Sequence, residues 1–247
     1  MREAQGCEVE VWTARPADFG AALRHDLDWL LDDSERERAS RFKHEADRRS
    51  YVLAHALRRA VLARWLAVDP REIRFSQEPG GRPALLAPGD GAVYFSHSRS
   101  RDAVACAVTG VAPVGIDVET ALASGIDEQM IARFVVPVEG ARLAQDQRTA
   151  RFYFQWTALE AFWKAEGKGL ADGNPRIECR QDARGQFAAW LEGDGRGPRA
   201  RLFPVEAQGG ACITVAISGT ADVRCQLFNG NMQLFNALSA HEMLSLR

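Results

Sequence analysis

Two carboxylates stand two residues apart in the run Val114-Gly115-Ile116-Asp117-Val118-Glu119, where larger apolar residues alternate with small or acidic ones. Alternation of period two is the strand pattern, so Asp117 and Glu119 project from one side, roughly 6–7 Å apart and within reach of one cation. All-oxygen ligation suits a hard ion such as magnesium, which keeps several waters and takes a few carboxylates plus substrate phosphate. An isolated Asp-x-Glu describes the solvated face of an edge strand equally well. A third acid comes from Trp156-Thr157-Ala158-Leu159-Glu160-Ala161-Phe162-Trp163-Lys164, where Glu160 and Lys164 lie one helical turn apart on the flank of an apolar stripe. By itself that is a surface ion pair worth about 0.2–0.5 kcal/mol. The run Tyr94-Phe95-Ser96-His97-Ser98 adds groups able to donate hydrogen bonds to an anion, or else plain loop polarity.

Other chemistries lack their signatures. The turn Glu166-Gly167-Lys168-Gly169 is no Walker A loop, because Phe162 and Gly169 stand where that motif needs glycine and Ser or Thr. It reads as a helix cap that leaves Lys168 near a phosphate. No Gly-x-Ser-x-Gly elbow occurs, and His25, His44, His55, His97 and His241 show no zinc-ligand spacing. Cys7, Cys106, Cys179, Cys212 and Cys225 form no CxxC pair and fit reduced thiols. A formal net charge of -2 argues against a dedicated nucleic-acid binder, although Arg36, Arg38, Arg41, Lys43, Arg48 and Arg49 crowd one stretch. The polar start Met1-Arg2-Glu3-Ala4-Gln5 and the lack of any run near 20 apolar residues predict a soluble, cytoplasmic chain with no membrane partner.

Positioning these residues requires a scaffold, and 247 residues with 46% hydrophobic content suffice for a full core. Phe42, Leu53, Leu57, Val61 and Trp65 recur at helical spacing, predicting helix from Ser34 to Val68 with Asp69-Pro70 as its stop. Phe152, Trp156, Leu159 and Trp163 form a second helical stripe over Thr149 to Glu166. Strands are expected at Ala103 to Val108, Arg184 to Leu191, Arg199 to Val205 and Cys212 to Ser218. Ala103 to Val108 is echoed by Ala211 to Ala216, each downstream of its helix, which suggests an internal duplication. The expected division is a half over 1–112, a half over 113–228 and an appended segment over 229–247, to which no function is assigned.

Taken together, Phe95-Ser96-His97-Ser98, Gly115-Ile116-Asp117-Val118-Glu119 and Trp156 through Leu170, in that order, resemble the Sfp-type 4′-phosphopantetheinyl transferase family. The resemblance extends upstream through Arg38 and Phe42 and through Gly81-Arg82-Pro83, and so covers roughly Glu35 to Leu170. It implies an α+β fold of two similar, pseudo-twofold-related halves, a pseudo-dimeric monomer with coenzyme A in the cleft between them. It implies magnesium on Asp117, Glu119 and Glu160. Arg38, Gly81, Arg82, Ser96 and His97 would hold the nucleotide end and its 3′-phosphate, with Lys164 facing the pyrophosphate. The activity implied is transfer of phosphopantetheine to a serine of an apo acyl or peptidyl carrier protein, with Glu160 taking the serine proton. Such carriers serve fatty-acid, polyketide or non-ribosomal peptide synthesis. One departure is Leu159, where the family usually has lysine, and Arg151 or Lys168 are the expected substitutes.

Two other readings stay open at this point. The arginine-rich stretch would serve a binding module without catalysis, although Glu37, Glu45 and Asp47 interrupt it. The same three acids would also serve another magnesium-dependent phosphotransferase or a nuclease.

Overall fold

The structure, a computed structural model, describes residues 8–20, 23–77, 81–88, 93–120, 145–170, 173–207, 209–219 and 222–238. The chain opens with strand β1 (Glu8–Ala14) and short helix α1 (Leu23–Leu27), followed by helices α2 (Asp33–Ser40) and α3 (Glu45–Leu66). Where the sequence predicts one helix from Ser34, the structure breaks it between Arg41 and His44. The short helix α2 starts at its own capping box of Asp32 and Glu35 and is capped at Arg41. His44 is extended, with φ -101° and ψ 131°, before α3 begins. At the far end Ala67 adopts the left-handed conformation, φ 55°, and closes α3.

Strands β2 (Arg74–Gln77), β3 (Pro83–Ala87), β4 (Tyr94–Arg99), β5 (Val104–Thr109) and β6 (Val114–Thr120) precede helix α4 (Gln145–Ala165). Then come β7 (Ile177–Gln181), β8 (Phe187–Leu191), β9 (Ala200–Glu206), β10 (Ala211–Ser218), β11 (Arg224–Asn229) and helix α5 (Met232–Asn236). The expectation of loop at Ser96-His97-Ser98 is corrected: these residues are the middle of β4, paired antiparallel with β5. Serine and histidine have weak strand preference, and burial on both faces overrides it.

Two larger sheets result, in strand orders β11-β1-β5-β4 and β6-β10-β9-β8-β7. Side-chain alternation decides how they stack. On β5, Val104, Cys106 and Val108 face one core with Leu53, Leu57 and Val61 of α3. Its alternate residues Ala105 and Ala107, with Ala103 just before the strand, face a second core, shared with Val114, Ile116 and Val118 of β6 and Ile213, Val215 and Ile217 of β10. A third core lies under α4, built on Leu159, Phe162 and Trp163. The molecule is therefore four layers, helix, sheet, sheet, helix, with the alanine face of β5 packed against the second sheet. This is a two-half α+β fold.

The C-terminal segment differs from the expected division. Arg224 to Phe228, expected in the second half, and Asn229, expected in the appended segment, pair in parallel with β1 in the first sheet. Beyond them, Leu234, Phe235 and Leu238 of the segment expected as an appendage are buried in the first core, where Phe235 meets the Phe19 ring edge to face. The long stretch of chain between the two strands allows β11 to lie parallel to β1. Residues 239–247 lie outside the described part.

Candidate functional site

β4 is the edge of one sheet and β6 the edge of the other, and the candidate residues gather where these edges meet. Val114, Ile116 and Val118 are inward and at most 1% exposed, so Gly115, Asp117 and Glu119 turn toward α4. Gly115 is required there: a Cβ on it would lie 1.9 Å from the Ala161 carbonyl oxygen. The missing side chain lets α4 settle onto β6, which brings Glu160 and Lys164 beside the strand acids.

Asp117 is buried. Its Oδ1 accepts hydrogen bonds from Ser98 Oγ at 2.7 Å and from Lys164 Nζ at 2.6 Å. Lys164 Nζ also donates to Ser98 Oγ at 3.1 Å and to the Ile116 carbonyl at 3.2 Å. Ser96 Oγ accepts from the Ile116 amide at 3.2 Å, so β4 and β6 are joined by side chains. Thr157 fixes the buried side of α4 through a 2.7 Å hydroxyl contact with Thr214 of β10.

The carboxylates influence one another. Burial, with the nearby Asp117 charge, pushes Glu119 up to about 7 despite a hydrogen bond from Trp156. Burial also raises Glu160, which Lys164 opposes and Asp117 reinforces. Asp117 Oδ2 is buried with no hydrogen-bond partner among the described residues. An orphaned carboxylate oxygen beside two acids held above their ordinary range fits a site short of positive charge, and the oxygen-only donor set suits a hard divalent cation. Among the described residues, however, no three His, Cys, Asp or Glu side chains converge as a ready-made ligand cluster. Like charges repel, and Asp117 pairs with Lys164 instead.

Two cavities adjoin this seam. The smaller, 220 Å³, is lined by Gly81, Arg82, Ser96, His97, Glu160, Lys164 and Lys168, among others. The larger, 800 Å³, contains Arg38, Arg41, Phe42, Tyr51, His55 and Arg58, and Pro83 borders both. Arg38 thus lines a different cavity from the other expected anion-binding residues, and the two cavities share Pro83 on their walls. His97 meets His55 edge to face at 5.4 Å. Burial, reinforced by the Arg58, His55 and Lys164 charges, holds its imidazole well below the usual range. Lys164 lines the cavity, yet its three N–H groups are spent on protein acceptors. Lys168 and Arg82 are the other cations on its wall.

Four further residues contribute that the motifs do not single out: Ser98, Trp156, Arg58 and His55. Ser98 carried a signal, its i,i+2 relation to Ser96. Trp156 was read as core, and the role of its indole toward Glu119 had no signal. Arg58 and His55 were hidden in a helix that reads as uniformly amphipathic. Leu159 is fully buried in the core beneath α4, so that position faces away from the cavity.

A sequence model described as the 4′-phosphopantetheinyl transferase superfamily matches residues 113–216, and one described as 4′-phosphopantetheinyl transferase, N-terminal, matches residues 10–109. The chain is 32% identical over 171 residues to the 4′-phosphopantetheinyl transferase HetI of a Nostoc species, covering 66% of this chain and 70% of that one. It is 33% identical over 145 residues to the 4′-phosphopantetheinyl transferase Sfp of Bacillus subtilis, covering 58% and 62%. That second match is under two thirds of the relative's length. A phosphopantetheinyl transferase of a Thraustochytrium species is 27% identical over 227 residues, covering 85% and 78%.

Proposed function

The chain belongs to the 4′-phosphopantetheinyl transferase superfamily, and from this premise we propose that it moves phosphopantetheine from coenzyme A to a serine of an apo acyl or peptidyl carrier protein. The observation that carries this reading is that Glu160, on the wall of a cavity also lined by Arg82, Lys164 and Lys168, acts electrostatically on the strand acids Asp117 and Glu119 at the seam of two sheet edges. In that cavity Arg82 and Lys168, with the Lys164 charge behind them, favour a pyrophosphate, and Ser96 and neutral His97 offer hydrogen bonds. Arg38, Arg41 and Arg58 beside Phe42 and Tyr51 suit the nucleotide end in the larger cavity.

Transfer joins the carrier serine oxygen to the β-phosphorus of coenzyme A and breaks the bond from that phosphorus to the bridging oxygen, which departs on adenosine 3′,5′-bisphosphate. Such displacement needs positioning and charge neutralisation more than covalent help from the protein. Glu160, on the cavity wall and raised by burial, is placed to take the serine proton. Asp117, Glu119 and Glu160 would hold magnesium, which when bound neutralises charge on the transferring group. Among the described residues no helix is long and apolar enough to cross a membrane. The two halves act as one monomer, divided near 112.

The test is incubation with apo carrier proteins, coenzyme A and magnesium, followed by mass spectrometry of the carrier. The expected outcome is a phosphopantetheine adduct on the carrier serine that is absent without coenzyme A. Unchanged mass across fatty-acid, polyketide and peptide carriers would overturn the reading.

A further inference from the structure

Side chains of β4 alternate, and the alternation separates two tasks. Phe95 faces the first core, and His97 meets His55 of α3. Ser96 and Ser98 face β6 in the other half, where Ser96 takes the Ile116 amide and Ser98 reaches Asp117. Ser98 is only 8% exposed, so its hydroxyl has little access to water. It donates to Asp117 Oδ1 at 2.7 Å and accepts from Lys164 at 3.1 Å, closing a three-membered ring of contacts with the 2.6 Å Lys164–Asp117 pair. Both contacts on Asp117 fall on Oδ1, and Oδ2 is left buried and without a hydrogen-bond partner among the described residues. A lysine ammonium on a flexible stem supplies charge but little direction. A hydroxyl on a strand, one bond from Cβ, supplies direction.

Resting on the reading of Asp117 as a cation ligand, we propose that Ser98 is the positioning residue of the site, turning the Asp117 carboxylate so that Oδ2 is the oxygen presented to the cation. The same bond spans the two halves, so the strand that carries Ser96 and His97 is held in register with the strand that carries the acids. Outer partners of this kind orient metal ligands and typically change affinity 10–100-fold when removed.

The experiment titrates Mn²⁺ into the full chain without coenzyme A and reads free Mn²⁺ by electron paramagnetic resonance. Wild type, Ser98→Ala, Ser98→Thr and Asp117→Ala are compared, with urea unfolding of each to confirm the fold. Wild type is expected to bind saturably and Asp117→Ala to lose that binding. Ser98→Ala is expected to weaken it about 10–100-fold while staying folded, and Ser98→Thr, which keeps the hydroxyl, to remain within ~3-fold of wild type. Wild-type affinity in Ser98→Ala, or equal loss in Ser98→Thr, would overturn the Ser98 assignment and leave the cation reading intact. Absent binding in wild type, or undiminished binding in Asp117→Ala, would overturn both.

Discussion

Glu160 lies on the cavity wall, and burial raises its carboxyl, which favours the proton-accepting role proposed for it. Glu160→Gln keeps the shape and removes the basicity. Transfer to an apo carrier, measured as kcat, is expected to fall about 10²–10⁴-fold with a smaller change in KM for coenzyme A. His97 offers a contrast. Its imidazole is kept well below the usual range by burial, so it would meet ligand as a neutral donor. His97→Ala is expected to raise KM for coenzyme A about tenfold, the worth of one hydrogen bond, with kcat nearly unchanged. Leu159 is the position where the chain departs from its family's usual lysine, and it is fully buried. Leu159→Lys restores that pattern but places an ammonium in an apolar core, and urea unfolding is expected to show a loss of at least about 2 kcal/mol. These acids were legible as candidates because Asp-x-Glu and Glu-x-x-x-Lys spacings carry their own geometry. Trp156 toward Glu119 was not, since an indole on an apolar stripe looks the same whether or not its N–H is used.

At the scale of elements, the contact of α4 with β6 decides whether three acids are neighbours at all. Gly115 is where the helix touches the strand, and Gly115→Ala must move one of them, because its Cβ would meet the Ala161 oxygen at 1.9 Å and the Ala165 amide nitrogen at 2.6 Å. Overpacking of this kind costs about 1–3 kcal/mol or more, and here it also shifts Glu160 and Lys164. Expected together are a lower urea midpoint and a loss of transfer activity larger than the stability change explains. Both α4 and β6 were readable from periodicity. β4 was not, because its serines and histidine carry turn chemistry locally, and only pairing with β5 makes them a strand.

For the whole molecule, stability should follow pH through groups that no single element explains. Burial would raise Glu35, but its hydrogen bond with His55 and the charges of Arg58 and Arg59 outweigh that and bring it down to about 2. A carboxyl depressed on folding stabilises above its unfolded value and loses that contribution as pH falls, so the window runs from about 4.5 to about 2. His55 and His97, also depressed, begin to withdraw stability as pH falls below 6.5, while the raised Glu119 opposes them between 4.5 and about 7. Between 4.5 and about 2 Glu35 adds a loss on the order of 3 kcal/mol to the acid limb. Glu35→Gln should flatten this limb in urea midpoints measured against pH. What the amino-acid order determined by itself was local: two amphipathic helices, an alternating strand, acids at spacings that share a face, and motifs specific enough to suggest the family. What only the tertiary structure decided was which faces meet. β5 turns alanines one way and larger residues the other, so two sheets stack and the edges β4 and β6 come together. Ser98 then reaches Asp117, and β11 pairs with β1. Periodicity fixes a side chain's direction relative to its own element, whereas the partner it meets depends on contacts between residues far apart in sequence, which no local pattern encodes.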